Sequence, residues 1–185
     1  MSQIYSPAED SYLLTDVLKK IKISDKLKIL DMGSGSGIQA QTLIDKGINS
    51  KNLTLADINP RVIRKLKKSF PKSKVIKSNL FSNLKGKFDL IIFNPPYLPE
   101  DKKEPKDSKL TTTGGKKGSK IINKFLKSSK LFLNKKAKIF LLISSLTRGV
   151  NFSGYEKKIL ATKKIFFEEL YVYELRKCES KQKQS

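Results

Sequence analysis

The chain has 185 residues, with 39 Lys or Arg against 17 Asp or Glu, a formal net charge of +22, no histidine and a single cysteine. Its size suits one domain that buries roughly 70% of its unfolded surface, so it needs neither a disulfide framework nor a structural metal. The lack of histidine excludes His-based triads, His general bases and His metal sites, and one cysteine, Cys178, staples nothing, which suits an intracellular setting.

In chain order, the opening MSQIYSPAED lacks the basic-then-apolar pattern of a signal peptide, and no later apolar run approaches the roughly 20 residues that span a bilayer. A cytoplasmic protein with no membrane association is expected. Residues 9–22 place Leu13, Leu14, Val17, Leu18 and Ile21 at helical spacing. Residues 26–31 read as a strand running into glycines, 37–46 as a helix, and 52–57 as a second strand. Residues 60–70 form a basic helix opened by Pro60, a residue that suits a first turn. Strands follow at 74–78 and 88–93. Residues 117–133, with Ile121, Ile122, Phe125, Leu126 and Leu131, predict a helix, and 137–144 a buried strand. Two more strands are expected over roughly 157–176. Between Ser145 and Lys157 the chain is too short for a full crossover helix, so that helix should shrink to about one turn and leave part of one sheet face bare. The expectation is an α/β protein: a Rossmann-like, doubly wound, seven-stranded and mostly parallel sheet, in a single domain over 1–177 with a polar tail at 178–185.

Ligands of such sheets bind beyond the carboxyl ends of the strands. The first strand ends in DMGSGSG (31–37), where glycines turn the chain and let its backbone approach a ligand. No Lys-Ser/Thr follows, so this is not a P-loop. An acidic residue ahead of the glycines repels phosphate and favours a cation, which suits the sulfonium and amino group of S-adenosyl-L-methionine better than a dinucleotide. A simple glycine turn is the plainer alternative. The second strand ends in Asp57, an acceptor for ribose hydroxyls or a cap for the helix at Pro60. The third ends in Asn79-Leu80, suited to an adenine edge. The fourth ends in Asn94-Pro95-Pro96-Tyr97, which alone is also a plausible strand-ending turn.

These pieces together resemble the class I methyltransferases that use S-adenosyl-L-methionine, and most closely the HemK/PrmC group that methylates a release-factor glutamine. The shared stretches are YSPAEDSYLL (5–14), DMGSGSG (31–37), DINP (57–60), SNLF (78–81), NPPYLP (94–99) and GGKKG (114–118). The PAEDSYLL opening is similar to the short archaeal and eukaryotic branch. The resemblance implies cofactor contacts from Ser11, Asp31, Gly33, Gly35, Asp57, Asn79, Leu80 and Asn94, and catalytic roles for Asn94, Pro95 and Tyr97, with no metal. The family's usual acidic residue at the third strand end is Asn79 here. For Ser11 the blander reading is an exposed helix hydroxyl, and for Glu9 and Asp10 a favourable first-turn charge.

The chemistry fits this pattern. An amide nitrogen is a poor nucleophile because its lone pair is delocalised into the carbonyl. The Asn94 side-chain oxygen and Pro95 carbonyl can accept its two N–H bonds, and such orientation contributes roughly 7–11 kcal/mol. The resemblance further implies a release factor as substrate and a small zinc-binding activator paired to the sheet edge at Lys74–Ser78, although lysine flanks there also suit a lone edge strand. The long polar segment 98–120 should border the substrate pocket and order on binding, or else be a solvated excursion. Two other readings compete. One is an RNA or DNA base N-methyltransferase acting on an exocyclic amine, with the basic surface contacting RNA or the ribosome. Only four of the basic residues are arginine (Arg61, Arg64, Arg148, Arg176), so the charge also suits a merely lysine-rich composition. The other is a basic binding module without activity, against which the intact motifs argue.

Overall fold

The computed structural model describes residues 9–100 and 112–178. Its elements run in the expected order: α1 (Glu9–Lys20), β1 (Ile29–Met32), α2 (Ile38–Asp45), a 3₁₀ turn (Ser50–Asn52), β2 (Leu53–Asp57), α3 (Pro60–Ser69), β3 (Lys74–Lys77), β4 (Phe88–Phe93), α4 (Lys120–Ser129), β5 (Leu133–Ser144), β6 (Tyr155–Ile165) and β7 (Glu168–Lys177). One sheet holds all seven strands in the order β3-β2-β1-β4-β5-β7-β6. β3, β2, β1, β4 and β5 pair in parallel, while β7 runs antiparallel to both β5 and β6. The order reverses at β1, which has β2 on one side and β4 on the other, so a crevice opens at the ends of these three strands.

Alternating strand residues divide the core into two layers. Ile29, Leu53, Leu55, Leu90, Ile92, Phe140 and Val172 face one side and pack with Leu14 and Leu18 of α1, Leu43 of α2 and Leu66 of α3. Leu30, Met32, Ile91, Phe93, Ile139 and Leu141 face the other and pack with Ile122, Phe125 and Leu126 of α4. The sheet is therefore doubly wound, with unequal cover. Its interior strands are apolar on both faces, which is why they read as continuous runs and not as alternating ones. Among the described residues no helix is long and apolar enough to cross a membrane.

Three expectations need correction. The fourth helix is Lys120–Ser129, shorter than 117–133. At its start, residues 116–118 form a turn. At its end, Leu131 is 74% exposed and Leu133 already pairs with Phe88 of β4. The helical spacing of Leu131 is thus incidental, because the chain must turn before it to rejoin the sheet. β5 begins earlier than 137 for the same reason. It absorbs an irregularity between Phe88 and Leu90 with Lys136 at φ 67. Finally, no helix forms between β5 and β6, not even one turn. The segment 145–154 lays Val150 and Phe152 on the second layer instead, with Phe152 5.5 Å from the Tyr173 ring, and leaves Ile159 half exposed.

Candidate active site

The carboxyl ends of β1, β2, β3 and β4 and the first turn of α1 enclose a cleft of about 610 Å³. Every site residue named from sequence lines it or borders it, including Ser11, Asp31, Gly33, Gly35, Asp57, Asn79, Leu80, Asn94, Pro95 and Tyr97. Asn79 is exposed and lies at the rim, while Leu80 adopts φ 51, its carbonyl held by the Ser78 hydroxyl at 2.6 Å. Of the long polar segment, Leu98 and Thr112 border the cleft, with the Leu98 N–H donating to the Thr112 carbonyl at 2.9 Å. Residues 101–111 lie outside the described residues, as do 5–8 of the N-terminal motif.

The glycine loop is tied to β2. The Ser34 N–H donates to the Ala56 carbonyl at 3.1 Å, and the Gly35 N–H donates to Asp57 Oδ2 at 3.0 Å. Gly37, at φ 84, lets α2 start against α3: a Cβ there would lie 2.5 Å from the Phe70 ring. Asp57 does not cap α3. Asn59 does, accepting from the Arg61 N–H at 2.9 Å just before Pro60, while Asp57 Oδ1 accepts from the Asn59 N–H at 2.8 Å. Burial raises the Asp57 carboxyl above its usual range in spite of these backbone donors.

Asp31 is buried, and its Oδ2 has no hydrogen-bond partner. Burial pushes its carboxyl up to about 7, and the charge of Asp57 adds to the rise. The Ser34 hydroxyl, which donates to the Asp31 main-chain carbonyl at 2.8 Å, opposes the rise. A buried, unpartnered acid at the mouth of a glycine loop lacks a cation. S-adenosyl-L-methionine carries two positive groups, so this donor set fits it and would repel a phosphate-bearing ligand.

On the β4 side, Asn94 is oriented from across the chain. Its Nδ2 donates to Asp10 Oδ2 at 3.1 Å and lies 3.5 Å from Ser11 Oγ, and the Tyr97 hydroxyl donates to the same Asp10 oxygen at 3.3 Å. With its amide nitrogen so engaged, Asn94 turns its Oδ1 the other way, buried and without a partner. Asp10 is 5% exposed and Ser11 4%, so neither is the solvated first-turn group that the sequence alone allows. Gln39 of α2 holds this turn, its Nε2 donating to the Ser11 carbonyl at 3.0 Å, and the Thr15 hydroxyl of α1 itself donates to the same carbonyl at 2.9 Å. The GGKKG segment backs the Asn-Pro-Pro-Tyr turn directly. A Cβ on Gly118 would stand 2.1 Å from the Tyr97 carbonyl oxygen. That carbonyl also accepts from the Thr147 hydroxyl at 2.8 Å.

Sequence reasoning missed Asp10, Gln39 and Thr147. For Asp10 a signal existed. It precedes Leu13, Leu14 and Val17 by three, four and seven residues, which places it on the apolar face of α1, where a lone first-turn charge does not belong. Gln39 and Thr147 carry no such signal.

The strand order, the acidic glycine loop and an oriented Asn-Pro-Pro-Tyr turn at one crevice define a group-transfer enzyme with a cationic cofactor. The methyltransferase small domain model matches residues 8–153, and the chain belongs to that family. It is an S-adenosyl-L-methionine-dependent methyltransferase. It is 36% identical over 182 residues, 92% of this chain and 90% of the other, to a Methanocaldococcus jannaschii protein named by inference as a protein N5-glutamine methyltransferase. Among solved structures, the E. cuniculi Mtq2–Trm112 complex, described as responsible for the methylation of the eRF1 translation termination factor, matches with a TM-score of 0.72. The two are 25% identical, over 94% of this chain and 98% of that one. A ribosomal RNA small subunit methyltransferase C of Haemophilus influenzae is 34% identical over 98 residues, but these are 51% of this chain and only 29% of that protein.

Proposed function

We propose that this protein transfers a methyl group to the side-chain amide nitrogen of a glutamine in a peptide-chain release factor. The observation that carries the reading is Asn94: a buried, unpartnered Oδ1 at the end of β4, aimed by a carboxylate 84 residues away in sequence. Two proteins that match over nearly the whole chain, the Methanocaldococcus jannaschii relative and Mtq2, bear protein-methylating names, while the ribosomal RNA enzyme matches over half of it.

In this mechanism the cofactor supplies an electrophilic methyl group on a sulfonium. When bound, its positive portion would be held by Asp31, its ribose by Asp57 and its base by Asn79 and Leu80, with Gly33, Gly35 and Ser11 also lining the site. Asn94 Oδ1 and the Pro95 carbonyl accept the two N–H bonds of the substrate amide, which fixes the direction of its nitrogen. The same acceptors stabilise the positive charge that grows on that nitrogen, and the methylated amide returns to neutrality by releasing one proton to water. Tyr97 packs its ring against the flat amide. Pro95 and Pro96 keep the turn stiff, and Asp10 keeps Asn94 from flipping. No general base is needed, which accords with a chain without histidine.

The reading extends to a partner. β3 is one edge of the sheet and, among the described residues, pairs only with β2, from Thr54–Lys74 to Asp57–Lys77, so it offers a free side to another strand up to Lys77, whose carbonyl already accepts from Asn83 Nδ2 at 2.9 Å. A small zinc-binding activator pairing at Lys74–Ser78 fits this edge, since the Mtq2 relative is described in complex with Trm112. We also read residues 1–177 as one cytoplasmic domain with a polar tail from 178.

The test is methyl transfer from labelled cofactor to two pools, the cognate release factor and total RNA, with and without cell extract. Label on the glutamine, confirmed by peptide mass, supports the reading. Dependence on extract supports the activator. Label on RNA alone overturns the protein substrate and makes the basic surface an RNA contact.

A further inference from the structure

We propose that the turn joining β6 and β7, Phe166-Phe167, is a docking post that grips the folded body of the protein substrate at a distance from the reacting amide. The inference rests on the glutamine reading above.

Phe166 and Phe167 are 90% and 96% exposed, the two most exposed large apolar side chains among the described residues. They occupy a two-residue hairpin turn, closed by the Ile165–Glu168 pair. Phe166 adopts φ 45, a left-handed conformation that such turns normally assign to glycine or asparagine. An aromatic residue there gains nothing for the fold: it buries no surface and holds an unfavourable backbone angle. Strain kept where packing does not repay it points to a use outside the chain.

The position of the turn indicates that use. β5 runs parallel to β4, with Leu141 opposite Phe93, the residue before Asn94. β5 continues three residues to Ser144, which pairs with Leu170, and β7 begins two residues earlier than that, at Glu168, so that Phe167 lies three before Leu170. The turn therefore projects beyond the catalytic rim by about six residues of extended chain, ~20 Å, and is displaced sideways by two strand spacings, ~10 Å. The projection is firmly held. Ser145 and Glu169 exchange two hydrogen bonds at its base, Thr147 links the same segment to Tyr97, and Lys163 pairs with Glu9 of α1.

A glutamine side chain, or a few residues around it, cannot span that distance while seated at Asn94. A folded domain can. On the neighbouring rim, Lys116, Lys117 and Lys120 lie beside the cleft-lining Lys124, and the Arg148 N–H is bonded to the Lys117 carbonyl. The partner surface that fits is therefore a protein domain with an apolar socket for two aromatic rings and acidic groups nearer the glutamine.

The experiment compares wild type with a double variant, Phe166→Gly with Phe167→Ser, on the intact release factor and on a short peptide containing its target glutamine. Glycine suits the positive φ, so the variant should melt no lower than wild type. The KM for the intact factor should rise about tenfold or more, with kcat and cofactor affinity held, while kcat/KM for the peptide stays within about twofold. Restoring one ring, with Phe166→Gly and Phe167→Trp, should recover part of the loss. An unchanged KM for the intact factor overturns the docking post and leaves the glutamine reading standing. If wild type labels RNA and neither protein substrate, the glutamine reading falls and takes this inference with it.

Discussion

The two halves of the cleft are built differently. On the cofactor half, Asp31, Gly35 and Asp57 are held by backbone groups within short stretches of adjacent strands. The Ser34 and Gly35 N–H groups reach β2, and the Asn59 N–H reaches Asp57. On the substrate half, Asn94 and Tyr97 are held by side-chain bonds to Asp10, more than eighty residues earlier in the chain. Backbone-built sites tolerate side-chain changes nearby but not changes to the glycines. Side-chain-built sites behave the opposite way. The two halves should therefore fail separately, with binding lost on one side and turnover on the other.

The largest expected separation comes from Asn94→Ala. In the proposed mechanism it removes an acceptor that the transition state uses, so kcat should fall by about 10²–10³. Cofactor affinity, measured by calorimetry, should hold to within severalfold. Methyl transfer persisting near the wild-type rate would show that the amide is oriented by something else. Gly37→Ala attacks the other half. The added methyl meets Phe70 and Leu66 at a positive φ, and the protein should lose about 2–3 kcal/mol of stability in denaturant unfolding. Cofactor affinity should weaken with it, because the loop between β1 and α2 must shift. Asp10→Ala is smaller and subtler. Asp10 touches Asn94 and Tyr97 and not the reacting atoms, so it is a positioning residue. Freeing Asn94 to rotate should lower kcat roughly tenfold to thirtyfold, with cofactor affinity unchanged. Asp10→Asn keeps an acceptor oxygen and should recover part of that loss, which a residue of merely structural importance would not show.

How much of this was legible in the sequence follows the same division. The glycine loop, Asp57 and the Asn-Pro-Pro-Tyr turn each sit at the end of a strand that hydrophobic patterning identifies, so local reading reached them. The mostly parallel sheet also followed from the alternation of elements, while the placement of β3 at an edge came with the resemblance. Asp10 required knowing that α1 returns its first turn to the end of β4, which is a tertiary fact. The sequence offered only its place on the apolar stripe. Leu131 shows the converse error. Its helical spacing was genuine, but the chain had to turn at Ser128–Phe132 so that Leu133 could pair with Phe88. The shrinking of the helix between β5 and β6 was anticipated from chain length, yet its full replacement by Val150 and Phe152 was not, because two isolated apolar contacts leave no periodic trace.

Acidity offers the gentlest way to divide the halves, because Asp31 titrates on the cofactor side alone. Its carboxyl has an ordinary value of 3.8 and sits near 7 when folded and without a cation. Between these values the folded chain holds a proton that the unfolded chain has released. Its contribution to stability is therefore fully present below about pH 4 and is lost as pH rises towards 7. The cofactor works in the opposite direction. A bound cation favours the ionised carboxyl, so binding expels that proton below pH 7. Affinity should then strengthen with rising pH, by at most about tenfold per unit, and level off above 7. Melting temperatures without cofactor and calorimetric affinities across this range should thus slope in opposite senses. In Asp31→Asn both slopes should flatten and affinity should fall, because an amide cannot supply the charge. A melting curve that keeps its slope in that variant would assign the proton to another group, and Asp57, whose carboxyl is also raised by burial, is the one whose replacement would then decide it.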